Sequence, residues 1–343
     1  MVLVIVADDL TGALDTAAPF AARGLHTEVA LTVAAAAQGL ALLPDVLAVN
    51  LASREGSAED ALLAMRAVVE RLPPAARLFK KIDSRLKGHV ASELDAIFYQ
   101  QALVAPAIPA FGRVVRHAHV EGFGVATPIS IADALGRHAA RAIIPDALTD
   151  ADLAAALDKA EAGNVDLLVG ARGLAEALAI RMTGLTGSGL VDPPAGPGLF
   201  VIGSHDKITI EQVEHLRRLD AVVRRDAPNG VMPPSSSHSA AVVVVQATQG
   251  TTQVSSSEVA DNLAASVHPG LTASARTILL SGGATAEAVL GRMGIECFRL
   301  QGECLPGLGL AYAGGQCIIA KSGGFGGPET LADLASKLQE GRG

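Results

Sequence analysis

The chain has 343 residues, enough for two domains of ordinary size with a core each, so neither disulfides nor metal are needed to hold it together. A formal charge of -8 with two Tyr, eight Phe and no Trp argues against a nucleic-acid surface, which needs basic stripes and stacking rings. The expected partner is a small molecule, and if it is an anion, local Lys and Arg must overcome the overall field.

The chain opens on VLVIVADDLTGA, residues 2–13. An apolar strand near 2–7 ends in two adjacent carboxylates, Asp8 and Asp9, and a glycine-marked turn leads into a helix near 11–23. Met1 passes directly into this strand without a basic leader, which predicts a cytoplasmic protein. A carboxylate beside a core is costly unless it binds something. Capping the helix accounts for one of the pair and leaves the second without a structural reason. Strands follow near 27–33 and 45–50, then a helix over 57–72. That helix starts with a capping-box-like Ser57 and Asp60 and carries Leu62, Met65, Val69 and Leu72 on one face. A strand near 77–82, a helix near 90–101 and strands near 102–106 and 141–145 come next. A helix near 150–161, a strand near 165–169 and a helix near 173–182 close the first series.

The stretch TGLTGSGLVDPPAGPG, 183–198, is rich in Gly and Pro and lacks periodicity. It sets the expected division: a domain over 1–185, a linker over 186–198 and a second domain over 199–343. The second series has strands near 198–203, 221–225, 240–247, 276–281, 297–300 and 316–320. Its helices lie near 208–219, 256–267, 284–293 and 328–340, and NGVMPPSSSHS at 229–239 reads as a surface loop. The strongest apolar run, AAVVVVQA at 240–247, falls far short of the ~20 residues that cross a bilayer and is β-branched like a buried strand. Cys297, Cys304 and Cys317 suit neither a zinc site nor a disulfide framework, and His89, His117, His119, His205 and His238 show no metal spacing. Short β-branched runs alternating with amphipathic helices predict an α/β fold of two domains, each a mostly parallel sheet flanked by helices.

Parallel sheets bind ligands beyond the carboxyl ends of their strands. At those ends stand ADDLTGA, NLASRE, KKIDSRLKGH and PAIPAFGR in the first half, and GSHD, SGGAT and KSGGFGG in the second. The first set mixes charges: Asp8, Asp9, Arg54, Lys81, Asp83, Arg85, Lys87 and Arg113. Such a mixture suits a polyhydroxylated acid, whose hydroxyls donate to carboxylates and whose own carboxylate pairs with the cations. The second set is mostly glycine and hydroxyl, and glycine-rich strand-to-helix turns expose backbone amides and the positive end of a helix dipole, a ready site for phosphate.

ADDLTGA, KKIDS followed by a glycine, PAIPAFGR, GS followed by TIEQ, SGGAT and KSGGFG, in this order between Val2 and about Leu331, resemble the four-carbon acid sugar kinases. The resemblance implies a sugar-binding N-terminal domain, a nucleotide-binding C-terminal domain and an active site in the cleft between them. It implies ATP-dependent phosphorylation of a threonate, an erythronate or a 3-oxo relative at the terminal hydroxyl, with Mg²⁺ inferred from the chemistry, and a cytoplasmic homodimer without nucleic-acid or membrane partners. Transferred motif by motif, Asp8 or Asp9 is the catalytic base, and Arg54, Lys81, Ile82, Asp83, Ser84, Arg85, Lys87, Gly112 and Arg113 bind the acid. Arg54, with Lys81, Arg85 or Lys87, holds its carboxylate. Ser204, Gly282, Gly283, Ala284, Thr285, Lys321, Ser322, Gly323, Gly324, Phe325 and Gly326 bind ATP, and no metal ligand is assigned.

This chain departs from the family pattern in three ways. DSRLKG stands where the family reads DST-x-RG, and Lys87 offers a point charge where arginine grips a carboxylate with two bonds. Ala284 takes the acidic place of a GGDT motif. The chain is also compressed between Arg113 and Pro145 and around 229–275. Two rival readings follow. A non-catalytic sugar-acid or nucleotide-binding descendant is motivated by Ala284, and a nucleotide-dependent oxidoreductase is disfavoured because no G-x-G-x-x-G follows a strand with an acidic residue ~20 positions on.

Overall fold

The computed structural model describes residues 2–233 and 240–340; residues 234–239 of the polar loop, with His238, lie outside the described residues. Two compact units, Met1–Ser188 and Gly189–Gly343, divide the chain.

The first unit contains strands β1 (Leu3–Ala7), β2 (Thr27–Ala30), β3 (Val46–Asn50), β4 (Arg77–Lys81), β5 (Ala102–Ala105), β6 (Arg113–Arg116), β7 (His119–Gly122), β8 (Ile129–Ser130), β9 (Ala142–Ile143) and β10 (Leu167–Gly170). Its helices are α1 (Leu10–Ala21), α2 (Ala36–Ala41), α3 (Ala58–Val69), α4 (Val90–Leu94), α5 (Ile131–Leu135), α6 (Asp150–Ala162) and α7 (Arg172–Thr183). The main sheet runs β2-β3-β1-β4-β10-β5-β9 with every pairing parallel. Helices cover such a sheet on both faces, which is why β1 and β3 are apolar runs buried at every position. From β1 the chain goes to β3 on one side and later to β4 on the other, so β1 marks the switch point where the loops after β1, β3 and β4 open together.

The unit differs from the sequence reading in several places, the unexpected short helices α2 and α5 among them. The capping box of Ser57 and Asp60 is present, but α3 buries Ala61, Met65 and Val68, with Leu62 and Val69 only half-buried. The helix expected over 90–101 stops at Leu94, because the next residues spend their polar groups on distant partners. Asp95 binds His138 Nε2 at 2.6 Å, Tyr99 OH meets His138 Nδ1 at 2.7 Å, and the amides of Gln100 and Gln101 donate to Asp166. Within the compressed stretch after Arg113 lies a small antiparallel sheet, β6-β7-β8, that no expected element covered.

The second unit contains β11 (Gly198–Ile202), β12 (Val222–Pro228), β13 (Val242–Thr248), β14 (Thr277–Ser281), β15 (Cys297–Leu305), β16 (Leu308–Ala313) and β17 (Gln316–Lys321). Its helices are α8 (Lys207–Leu216), α9 (Ser256–Val267), α10 (Gly283–Arg292) and α11 (Thr330–Glu340). The order is β12-β13-β11-β14-β17-β16-β15, parallel as far as β17 and antiparallel from β17 to β16 to β15. Phe200, Ile202, Leu279, Ile319, Leu334 and Leu338 form the centre of its core. The ends of β11, β14 and β17 are neighbours, which brings GSHD, SGGAT and KSGGFGG together. The three cysteines are free thiols, and among the described residues no helix is long and apolar enough to cross a membrane.

Candidate active site

Each unit carries a polar cluster at the carboxyl ends of its parallel strands. In the first, β1 passes into α1 within two residues. Asp9 keeps an extended backbone and caps the helix, its Oδ1 accepting from Gly12 N at 2.8 Å and its Oδ2 from Thr11 Oγ1 at 2.7 Å. Arg54, from the loop after β3, grips Asp8 with two bonds, Nε to Oδ2 at 2.7 Å and Nη2 to Oδ1 at 2.8 Å. Its Nη1 donates to Asp9 Oδ2 at 2.7 Å, and Asp83 lies 3.8 Å from Nη2. The amides of Ser53 and Arg54 also donate to the Asp8 carbonyl, so the loop is fixed on the residue its guanidinium serves. Arg54, expected on the ligand's carboxylate, therefore spends Nε, Nη1 and Nη2 on Asp8 and Asp9.

Burial alone would push the Asp8 carboxyl up. The hydrogen bonds and charge of Arg54, together with Lys81 and Lys80, outweigh it and hold Asp8 below its ordinary 3.8. Burial works against Arg54 as well, and the charges of Asp9 and Asp8 raise it above its usual range. The site thus keeps the Asp8 carboxylate and the Arg54 guanidinium ionised together.

Two glycines make room for this arrangement. A methyl group at Gly12 would stand 2.5 Å from Asp9 Oδ1 and 2.6 Å from Lys81 Nζ, and one at Gly88, where φ is +89°, would stand 2.6 Å from Asp8 Oδ2. Lys81, the last residue of β4, is buried beside Gly12 and makes no hydrogen bond or ion pair through its ammonium with any described residue. Strand alternation turns its neighbour Lys80 to the other face. There Lys80 Nζ, fully buried, pairs with Glu93 Oε2 at 2.9 Å, while Glu93 Oε1 accepts from Ser53 Oγ at 2.7 Å. Sequence reasoning missed Lys80, Glu93 and Ser53. Two successive lysines at a strand end do imply one buried ammonium, but nothing local names its counterion.

The remaining residues of KKIDSRLKG are distributed unevenly. Ile82 is a core residue, 1% exposed, with its amide on the Gly170 carbonyl, so its side chain is packing rather than a contact surface. Asp83 Oδ1 accepts from Arg85 N and shapes the turn. Ser84 Oγ accepts from Arg113 Nη1 at 2.5 Å, and Arg113 Nε donates to the Phe123 carbonyl. Gly112, at φ +65°, closes the turn that aims Arg113. Arg85 is half-buried and Lys87 exposed, and neither side chain bonds a described residue.

In the second unit, Gly203 and Ser204 donate their amides to the Ser281 carbonyl, and Gly282, at φ +105°, donates to the Lys321 carbonyl. A methyl at Gly203 would stand 1.9 Å from Thr285 Oγ1, and one at Gly323 would stand 2.2 Å from Ser204 Oγ, so glycine lets the three turns touch. Asp206 caps α8 through Ile208 N. No side chain caps α10, and the amides of Gly283, Ala284 and Thr285 donate to no described residue. The amides of Gly323, Gly324 and Gly326 are unpaired in the same sense. The Ser281 hydroxyl is buried without a partner among the described residues. Lys321 is fully enclosed, its ammonium pushed down to about 8 by burial, and it donates to Thr209 Oγ1 and to the carbonyls of Ser322 and Gly323. Ala284 places no carboxylate in the first turn of α10.

Residues 3–122 match the model of a sugar-binding N-terminal domain, and residues 222–331 that of a nucleotide-binding C-terminal domain. A D-threonate kinase of Bordetella bronchiseptica is 30% identical over 98% of this chain and 98% of its own length. The chain belongs to the four-carbon acid sugar kinase family. Another member, a D-threonate kinase of Salmonella typhimurium, is 27% identical over an alignment of 427 residues that takes in 99% of both chains. At 343 residues this kinase is shorter than that alignment. A crystal structure from Salmonella typhimurium LT2 shares the fold, with a TM-score of 0.71 at 18% identity over 98% of each chain.

Proposed function

We propose that this four-carbon acid sugar kinase transfers the γ-phosphoryl group of ATP to the terminal hydroxyl of a tetronate of the threonate, erythronate or 3-oxo type. The observation that carries the reading is the use of Arg54 by the site's own aspartates. It leaves the buried Lys81 ammonium, with Arg85 and Lys87 at the rim, as the cations available to an incoming carboxylate. Asp8 and Asp9 retain lone pairs beyond those Arg54 occupies, and one of them accepts the proton of the attacking hydroxyl. A weakly basic carboxylate takes that proton late, which suits a loose phosphoryl-transfer transition state. The amides of Gly283, Ala284, Thr285, Gly323, Gly324 and Gly326, which donate to no described residue, are the phosphate cradle.

Among the described residues no group of three His, Cys, Asp or Glu is placed to hold a metal. Mg²⁺ needs only one or two carboxylates beside substrate phosphates and water, and Asp206, next to the phosphate turns, fits that modest requirement. When bound with ATP it would neutralise phosphate charge. A cytoplasmic homodimer belongs to the same proposal.

A thermal-shift screen tests the reading. D-threonate, erythronate or a 3-oxo-tetronate is expected to raise the melting temperature, as is MgATP separately, because each binds only the folded chain. NADH is expected to leave it unchanged. Stabilisation by NADH and by neither MgATP nor any tetronate would favour the oxidoreductase reading.

A further inference from the structure

The stretch TIEQ lies in none of the turns assigned to ligands. It forms the third to sixth residues after the Asp206 cap, in the first two turns of α8. Thr209 and Gln212 are three apart and therefore share a face of that helix. Both are fully buried, with Val213 and Leu216 beneath them, while Ile210 is partly exposed. Thr209 Oγ1 donates to the Gly323 carbonyl at 2.8 Å and accepts from Lys321 Nζ at 3.1 Å. Gln212 Nε2 donates to the Phe325 carbonyl at 3.0 Å and to the Gly327 carbonyl at 2.8 Å. Lys321 holds the Ser322 carbonyl at 3.0 Å.

These bonds have a directional consequence. In a planar trans peptide, the C=O of one residue and the N–H of the next point in opposite directions. Anchoring the carbonyls of Ser322, Gly323 and Phe325 therefore turns the amides of Gly323, Gly324 and Gly326 the other way, and those are the amides that donate to no described residue. Gln212 does this at a cost, since its own Oε1 is buried without a partner among the described residues. Its polar contribution there is therefore the two donor bonds to the loop.

We infer that Thr209 and Gln212 are positioning residues of the nucleotide site, which orient the Gly324 and Gly326 amides toward polyphosphate without touching it. The inference rests on the kinase reading above and names residues that the motif comparison left without a role.

The test measures MgATP and tetronate affinity by calorimetry for wild type, Thr209→Val, Thr209→Ser and Gln212→Met. Val removes the hydroxyl at nearly constant shape, and Ser keeps it. Loss of the anchoring bonds is expected to weaken MgATP on the order of tenfold in Thr209→Val and Gln212→Met and to raise KM for ATP accordingly. Tetronate affinity stays unchanged in both, and Thr209→Ser binds MgATP like wild type. Thr209→Val and Gln212→Met within twofold of wild type for MgATP would overturn the inference while leaving the kinase reading intact. So would equal losses for MgATP and tetronate, the mark of a merely structural role. If Gln212→Met does not fold, the Val and Ser pair at 209 decides alone. A wild-type chain that binds no MgATP would end the kinase reading and this inference with it.

Discussion

Asp8→Asn and Asp9→Asn, each made singly, are expected to lower kcat on the preferred tetronate, the one that serves as proton acceptor by ~10² to 10⁴. The two variants should differ in stability. Asn is as good a helix cap as Asp, so Asp9→Asn keeps the bond from Gly12 N, while its amide nitrogen must donate to Thr11 Oγ1 and gives up the bond from Arg54 Nη1. Asp8→Asn breaks the two-bond grip of Arg54 and leaves the guanidinium with Asp9 and the more distant Asp83. The sign of the pH effect follows from the depressed carboxyl of Asp8. Its contribution to stability is present above the unfolded value of 3.8 and is lost as pH falls through the lower folded value. Asp8→Asn should therefore weaken the protein at neutral pH and flatten the acid limb below 3.8, as followed by urea midpoints between neutral and acid pH. Both variants within a few-fold of wild-type kcat would show that neither carboxylate takes the proton.

Glu93→Gln or Lys80→Met alone is expected to destabilise the protein by about 3–5 kcal/mol, because each leaves the opposite charge buried and unpaired. Lys80 is fully enclosed and Glu93 is 1% exposed, so water cannot take over the lost interaction. The double replacement Lys80→Met with Glu93→Leu should recover much of the loss, since a buried ion pair and well-packed apolar side chains are of similar worth. Activity should not recover with it. Glu93 ties Ser53 to Lys80, and the residues that follow those two are Arg54, which holds Asp8 and Asp9, and Lys81, the cation proposed for the substrate carboxylate. Urea denaturation of the three variants measures the effect. Single replacements within about 1 kcal/mol of wild type would show that the pair is dispensable.

The parallel strands were legible because strands buried on both faces read as unbroken apolar runs, and LVIVA, VLAVN and VVVVQA all lie within strands near the expected positions. The sheet β6-β7-β8 was not. Its strands are two to four residues long, carry Arg, His and Glu, and join β6 to β7 through His117 and Ala118, both at positive φ without a glycine to announce it. The strand β16 was missed although Gly314 and Gly315, at φ +57° and +81°, are the ordinary signature of a tight hairpin into β17. Within the sites, the carboxylate pair and the glycine turns could be located from strand ends. What each side chain touches could not, because Arg54 meets Asp8 across 46 residues and Gln212 meets Gly327 across 115.

The most direct test follows phosphorus. Wild-type chain, MgATP and each tetronate are incubated and the mixture is read by ³¹P NMR. The account predicts equimolar ADP and a new phosphomonoester on the terminal hydroxyl of at least one four-carbon acid, and no such product without the acid. ATP left intact with every tetronate, or consumed to free phosphate at the same rate with and without the acid, would contradict it.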